Sequence, residues 1–147
     1  MSHTLQALIE QSGPSVSKGI IRSHTVTIDR PTARGGTDQG PLGGEYLLVA
    51  LGGCFMSNLL AAARAREAGV SNVRIEVSGT MEGTPERFTE FALNISADHR
   101  DAAMVRKLIG IAARACVVTN TLWQSANVQM VFEGAPVELS VELGSRP

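Results

Sequence analysis

The sequence predicts an α+β domain, and three observations carry that prediction. Glu45 to Ala68 is a run of strong helix formers with apolar residues at helical spacing. Several short stretches elsewhere alternate apolar and polar residues, as strands with one wet face do. The links between paired strands are tight turns, too short for crossovers, so the sheet is expected to be antiparallel.

Taken in order, residues 1 to about 14 hold a small apolar-periodic piece (Leu5, Leu8, Ile9) that breaks at Gly13-Pro14. It reads as a peripheral arm or short helix, giving an arm over 1–17 and a domain over 18–147. From Lys18 to Ile28 the branched residues Ile20, Ile21, Val26, Thr27 and Ile28 predict one or two strands, closed by Pro31. The loop Arg34 to Gly44 carries five glycines in eleven residues, which implies flexible backbone or close approach. The long helix follows, apolar nearly all round from Tyr46 to Phe55 and stopped at Gly69. Gly52 and Gly53 inside it cost about 1 kcal/mol each against alanine, so another backbone is expected to approach there.

Val73–Val77 and Phe88–Ile95 then predict a hairpin about the turn-rich segment Glu82 to Pro85. Asp98 or Asp101 can cap a second helix through Ala102, Val105, Leu108, Ile109 and Ala112 to Cys116. Asn127–Phe132 and Val137–Leu143 close the chain as a last hairpin about Gly134 to Pro136. A core helix apolar on all sides needs more cover than one small sheet provides, and this points to a dimer.

Composition narrows the function. With 147 residues the chain has the size of one domain and can bury a core without staples. Thirteen basic against fourteen acidic residues, no Lys/Arg cluster and six aromatics (one Trp, one Tyr, four Phe) leave no footprint for nucleic acid. No basic segment followed by an apolar run opens the chain, and the longest apolar run, Tyr46 to Leu51, is far short of a membrane span. A cytoplasmic protein without a membrane partner is the expectation.

Cys54 and Cys116 are the only cysteines, one on each predicted helix. A structural disulfide is a poor account of two thiols in a reducing compartment, so they are either inert core residues or a redox pair. His3, His24 and His99 stand outside metal-ligand spacing with either, and no metal or cofactor is expected. The glycine loop lacks a Gly-Lys-Ser/Thr ending, which argues against nucleotide binding. Phe55, Met56 and Trp123 fit a core, although an apolar pocket among them would suit an apolar small molecule.

From about His24 onward the chain resembles the OsmC/Ohr family of thiol-dependent hydroperoxide reductases. The residues that carry the resemblance are Gly40-Pro41, the segment Glu45 to Phe55 with its Leu-Gly-Gly-Cys54-Phe core, and Ala115-Cys116-Val-Val-Thr-Asn120-Thr-Leu122, which is similar to the family's Cys-Pro-x-x-Asn-Thr-Leu. The resemblance implies an intertwined homodimer with antiparallel sheets wrapped around long central helices and an active site at each end of the interface. It makes Cys54 peroxidatic, attacking an organic hydroperoxide to become a sulfenic acid, and Cys116 resolving. A thiol reductant, with a lipoyl protein as the example from the hydroperoxide-resistance branch, then restores both.

The chemistry is coherent, since a free thiol ionises near ~8.5 and needs a nearby cation to act as a thiolate, and a second thiol must trap the sulfenic acid before it is over-oxidised. By the resemblance Arg34 supplies that cation and Arg22 is the reserve, because one branch places its arginine nearer the N-terminus. The orienting glutamate is Glu45, nine residues before Cys54; the catalytic branches typically carry it ten before, where this chain has Gly44. Nine residues of straight helix would set Glu45 about 13.5 Å from Cys54 along the axis and on the opposite face, so any help would have to cross a dimer interface. Val117 stands where the family commonly has proline.

Plainer readings stand beside these. On these, the helix dipole alone explains Glu45, and solvation in a polar loop explains Arg34. The rival of another class is a protein that keeps the fold without peroxidase activity and serves as a small-molecule binding or thiol-modification module. A third reading is a structural protein with two inert thiols.

Overall fold

Alternation in the second half of the chain is realised as one sheet with a single apolar face. The computed structural model describes residues 1–139, which form one unit ending at Leu47 and another beginning at Leu48. In the first unit β1 (Leu8–Gln11), β2 (Ser17–Ile21) and β3 (His24–Ile28) form an antiparallel sheet in chain order. The N-terminal piece expected as an arm or short helix is thus a strand over residues 8–11. Its Leu8 and Ile9 pair with Ile20 and Gly19. A 3-10 turn, Thr32–Arg34, leads toward the long helix α1 (Gly43–Ala65).

Helix α1 starts two residues before the expected Glu45, with Gly43 and Gly44 in its first turn, and ends three before the expected Ala68. Its end is a Schellman motif: Ala68 N–H donates to Ala63 at 3.0 Å and Glu67 N–H to Arg64 at 3.2 Å. Glu67, at φ 49, takes the left-handed position that glycine usually fills.

In the second unit β4 (Ser71–Glu82) and β5 (Arg87–Asp98) make the expected hairpin. After α2 (Ala102–Ala115) and α3 (Val117–Leu122), β6 (Asn127–Phe132) and the two-residue β7 (Ala135–Pro136) complete a sheet of order β4-β5-β6-β7. Both hairpins are antiparallel, as expected, whereas β5 and β6 run parallel. The reason is length: the link from Asp98 to Asn127 holds two helices and can return the chain to its starting end, which a tight turn cannot. The strand expected at Val137–Leu143 is met at its start by a bond from Val137 N–H to Met130 at 3.0 Å; its part from residue 140 on lies outside the described residues.

Cross-strand pairing lines up three apolar rows: Ile75–Ile95–Phe132, Val77–Leu93–Met130 and Gly79–Phe91–Val128. The β5 and β6 members are at most 2% exposed. Leu51, Phe55 and Leu59 of α1 and Val105, Leu108, Ile109 and Ala112 of α2 are buried as completely, each set at helical spacing. Helix α1 comes close to β4, so close that a Cβ on Gly79 would lie 2.9 Å from Leu48 Cδ2. Asp101, one of the two expected caps, accepts from Ala103 N–H at 2.9 Å and Met104 N–H at 3.3 Å and so starts α2.

Cys116 separates α2 from α3 because its backbone is extended, at φ −77 and ψ 108. Val117 is then the first residue of α3 and is exposed. Proline is favoured at a first helical position, and extended backbone before it is what proline requires. Val117→Pro should therefore stabilise the chain by roughly 0.4–1 kcal/mol in urea unfolding; a loss of stability would show that the Val117 N–H is needed.

Candidate active site

The two cysteines reach their positions by different local devices. Cys54 lies one turn beyond Leu51 at the edge of the buried stripe of α1, which leaves it half-buried. Cys116 sits at the break between α2 and α3 with no exposure at all. Both are free thiols, and they are neighbours. Burial pushes the Cys116 thiol up; the Thr119 hydroxyl and amide oppose that rise, and the neighbouring Cys54 adds to it. Thr119 N–H donates to Cys116 Sγ at 3.4 Å. The Thr119 hydroxyl, buried, has no hydrogen bond of good geometry among the described residues.

One turn after Cys54, Asn58 donates from Nδ2 to the Cys54 carbonyl at 2.9 Å, and the same nitrogen lies 3.9 Å from Cys54 Sγ. An apolar groove of about 410 Å³ runs along α1 and β4 past Leu48, Gly52, Gly53, Met56, Ile75 and Val77. The approach expected at the two glycines is made by a side chain rather than a backbone: a Cβ on Gly52 would meet Val77 Cγ2 at 2.8 Å. At Gly53 a Cβ would meet nothing within 4 Å, because that face of the helix is open. Phe55 is core, Met56 lines the groove, and Trp123 is half-buried.

The other expected site residues lie in the first unit. Arg34 ends the 3-10 turn, exposed, and its guanidinium has no hydrogen bond or ion pair among the described residues. Arg22 occupies the β2–β3 turn at φ 55. Glu45 Oε2 accepts from Leu42 N–H at 2.7 Å, the return bond of a capping box at the start of α1. One residue on, Tyr46 donates its hydroxyl hydrogen to the Thr27 carbonyl at 2.7 Å and ties that helix start to β3.

Asp29, which the sequence did not single out, organises the glycine-rich loop. Its carboxylate, 2% exposed, accepts from Arg30 N–H at 2.7 Å, Thr37 N–H at 3.1 Å, the Thr37 hydroxyl at 2.7 Å and Gln39 N–H at 3.1 Å. The Thr37 hydroxyl foremost, then the Gln39 amide, the Ser15 hydroxyl and the Arg30 amide, hold its pKa far below the usual carboxylate range against the opposing effect of burial. Gly36 and Gly40 allow the fold-back, since a Cβ would fall 1.9 Å from the Arg30 carbonyl oxygen and 2.3 Å from that of Thr27.

No group of three or more His, Cys, Asp or Glu among the described residues could hold a metal. By length and composition α1 is apolar enough to cross a membrane. Gly52-Gly53 and Ser57-Asn58 interrupt its apolar run without making the helix polar.

A family model described as OsmC-like protein matches residues 36–131. Among solved structures, a hypothetical protein from Aquifex aeolicus superposes with TM-score 0.78 at 16% identity, covering 90% of this chain and 96% of its own. A putative osmotic stress induced and detoxification response protein from Psychrobacter arcticus gives TM-score 0.77 at 16% identity, covering 90% and 98%. A putative organic hydroperoxide resistance protein from Vibrio cholerae gives 0.70 at 18% identity, covering 92% and 96%. At these identities the likeness establishes the fold. No match is found among curated proteins.

The depressed Asp29 pKa fixes the sign of a pH effect. Its contribution is fully present above the unfolded value near ~3.9 and is lost as pH falls from there toward the folded pKa. The amide resonances of Thr37 and Gln39 should hold their positions from pH 8 to about 5 and move only below about pH 4. Asp29→Asn should move them at pH 7; unchanged resonances in that variant would remove Asp29 from its place at the centre of the loop.

Proposed function

This chain belongs to the OsmC-like family, and from that premise we propose that it is a thiol-dependent peroxidase acting on organic hydroperoxides. The observation that carries the reading is the inequality of two neighbouring thiols: Cys54 is reachable, and Cys116 is sealed and held protonated by burial. Peroxide then reacts at Cys54. Its thiolate sulfur attacks one peroxide oxygen, the O–O bond breaks, and the other oxygen leaves with a proton as the alcohol. The resulting sulfenic acid is attacked by Cys116; the S–S bond forms, the S–O bond breaks, and the hydroxyl departs with the Cys116 proton as water. Two electrons from an external dithiol, a lipoyl protein being our candidate, restore both thiols. Arg34 is our candidate for the cation that favours the Cys54 thiolate, and the groove beside Gly53 suits an apolar substituent.

One observation favours the rival reading, a binding or thiol-modification module. Gly44 stands where the catalytic branches carry glutamate, and the Glu45 carboxylate is engaged at its own helix start.

The reduced protein treated with one equivalent of cumene hydroperoxide should lose two hydrogens within seconds by intact mass. Cys116→Ser should stop at a sulfenic acid on Cys54, trappable with dimedone, and Cys54→Ser should not react. Thiols unchanged over minutes would end the peroxidase reading and leave the module.

The same proposal includes a homodimer. Val49 and Leu60, on α1, are 62% and 43% exposed, a large apolar surface on the side of the helix away from its buried stripe. Light scattering after gel filtration should give twice the 15.5 kDa chain mass, and Val49→Asp with Leu60→Asp should give the monomer. A monomer in the wild type, or a mass that depends on detergent, would point to another cover for α1.

A further inference from the structure

Asparagine is a poor residue for a helix interior, because its amide competes for backbone groups. Asn58 nevertheless stands in the middle of α1, where from Leu48 to Ala63 its only polar companions are Ser57 and Cys54. What it does there is specific. Nδ2 donates to the Cys54 carbonyl at 2.9 Å and also lies 3.9 Å from Cys54 Sγ. An amide nitrogen carries two hydrogens, so the carbonyl bond fixes the group and the second hydrogen is left for the sulfur.

We infer that Asn58 is a further functional residue of the site, an N–H donor that holds the Cys54 sulfur in place and favours its anionic form. This rests on the reading of Cys54 as the attacking thiol. A thiolate accepts a hydrogen bond far better than a thiol, so a neutral donor at sulfur distance favours ionisation without bringing a charge into an apolar helix. That the amide is anchored on a backbone carbonyl matters equally: it is oriented before the reaction begins and does not reorganise during it. Among the described residues of this unit the titratable neighbour of Cys54 is Cys116, whose burial favours its neutral form, so that it does not compete for the role. After attack the same N–H lies beside the sulfenate oxygen or sulfur while Cys116 closes on it.

Iodoacetamide alkylation of Cys54, located by peptide mass mapping, tests the inference at pH 6.5 and pH 10. In Asn58→Ala the rate at pH 6.5 should fall about tenfold, the equivalent of one unit of ionisation, with the rate at pH 10 unchanged. In Asn58→Asp, nearly the same shape with a carboxylate facing the sulfur, the fall at pH 6.5 should be larger. Alanine favours the helix, so loss of fold does not explain a slower variant. Rates equal to wild type at pH 6.5 in both variants would overturn the inference, as would an equal fall at both pH values, which would mean altered access rather than ionisation. Alkylation needs no peroxide, so failure of the peroxidase reading would leave this result standing.

Discussion

Strand β5 is the element on which the second unit depends. It is paired antiparallel to β4 on one side and parallel to β6 on the other, and its inward residues Phe91, Leu93 and Ile95 are at most 1% exposed. Every apolar row of the sheet passes through one of them. A parallel neighbour requires a crossover, the crossover contains α2 and α3, and the junction of those two helices is Cys116. The buried cysteine is therefore placed by topology: once β5 and β6 lie side by side in the same direction, the chain has to turn over the apolar face, and the turn is made at that residue. Cys54 reaches the same region on α1, whose close contacts with Val77 and Gly79 set it beside β4.

The division of labour between the cysteines follows from burial. A thiol removed from water is held neutral, because its thiolate would lose solvation without a cation in return. Cys54, at the margin of the core, is half-buried and can be reached. Under the peroxidase we propose, that difference in distance to solvent sets the order of events, first Cys54 and then Cys116. Their proximity serves the same proposal, in which a sulfenic acid at Cys54 forms beside Cys116.

Much of this could be read from the chain. The long helix, the hairpin of β4 and β5, the cap at Asp101 and both cysteines were legible because each rests on local periodicity or on a short motif. The β1 strand was not, because Leu8 and Ile9 acquire their strand character only by pairing with Ile20 and Gly19, and no local pattern announces a partner ten or more residues away. The parallel pairing of β5 with β6 was missed for the same reason, since hairpin lengths constrain only neighbours in sequence. Asp29 was invisible as a hub because its donors, Thr37 and Gln39 among them, are brought to it by the fold-back at Gly36 and Gly40. Asn58 did leave a trace, a lone amide one turn after a cysteine in an apolar helix, and polar residues out of pattern are where local rules yield to function.

Glu45 shows how one residue can be read two ways and how geometry limits the choice. A carboxylate that accepts the Leu42 N–H satisfies an otherwise unpaired donor at the start of α1 and sits favourably against the helix dipole. While that bond is made, one of its oxygens is committed, and any guanidinium it is to orient must bind through the other. A glutamate one position earlier would stand at the second residue of the helix instead of the third and would not be placed to close the capping box. The nine-residue offset thus has a structural use of its own, independent of catalysis. On the inference drawn above, α1 itself supplies a donor to the Cys54 sulfur, the amide of Asn58.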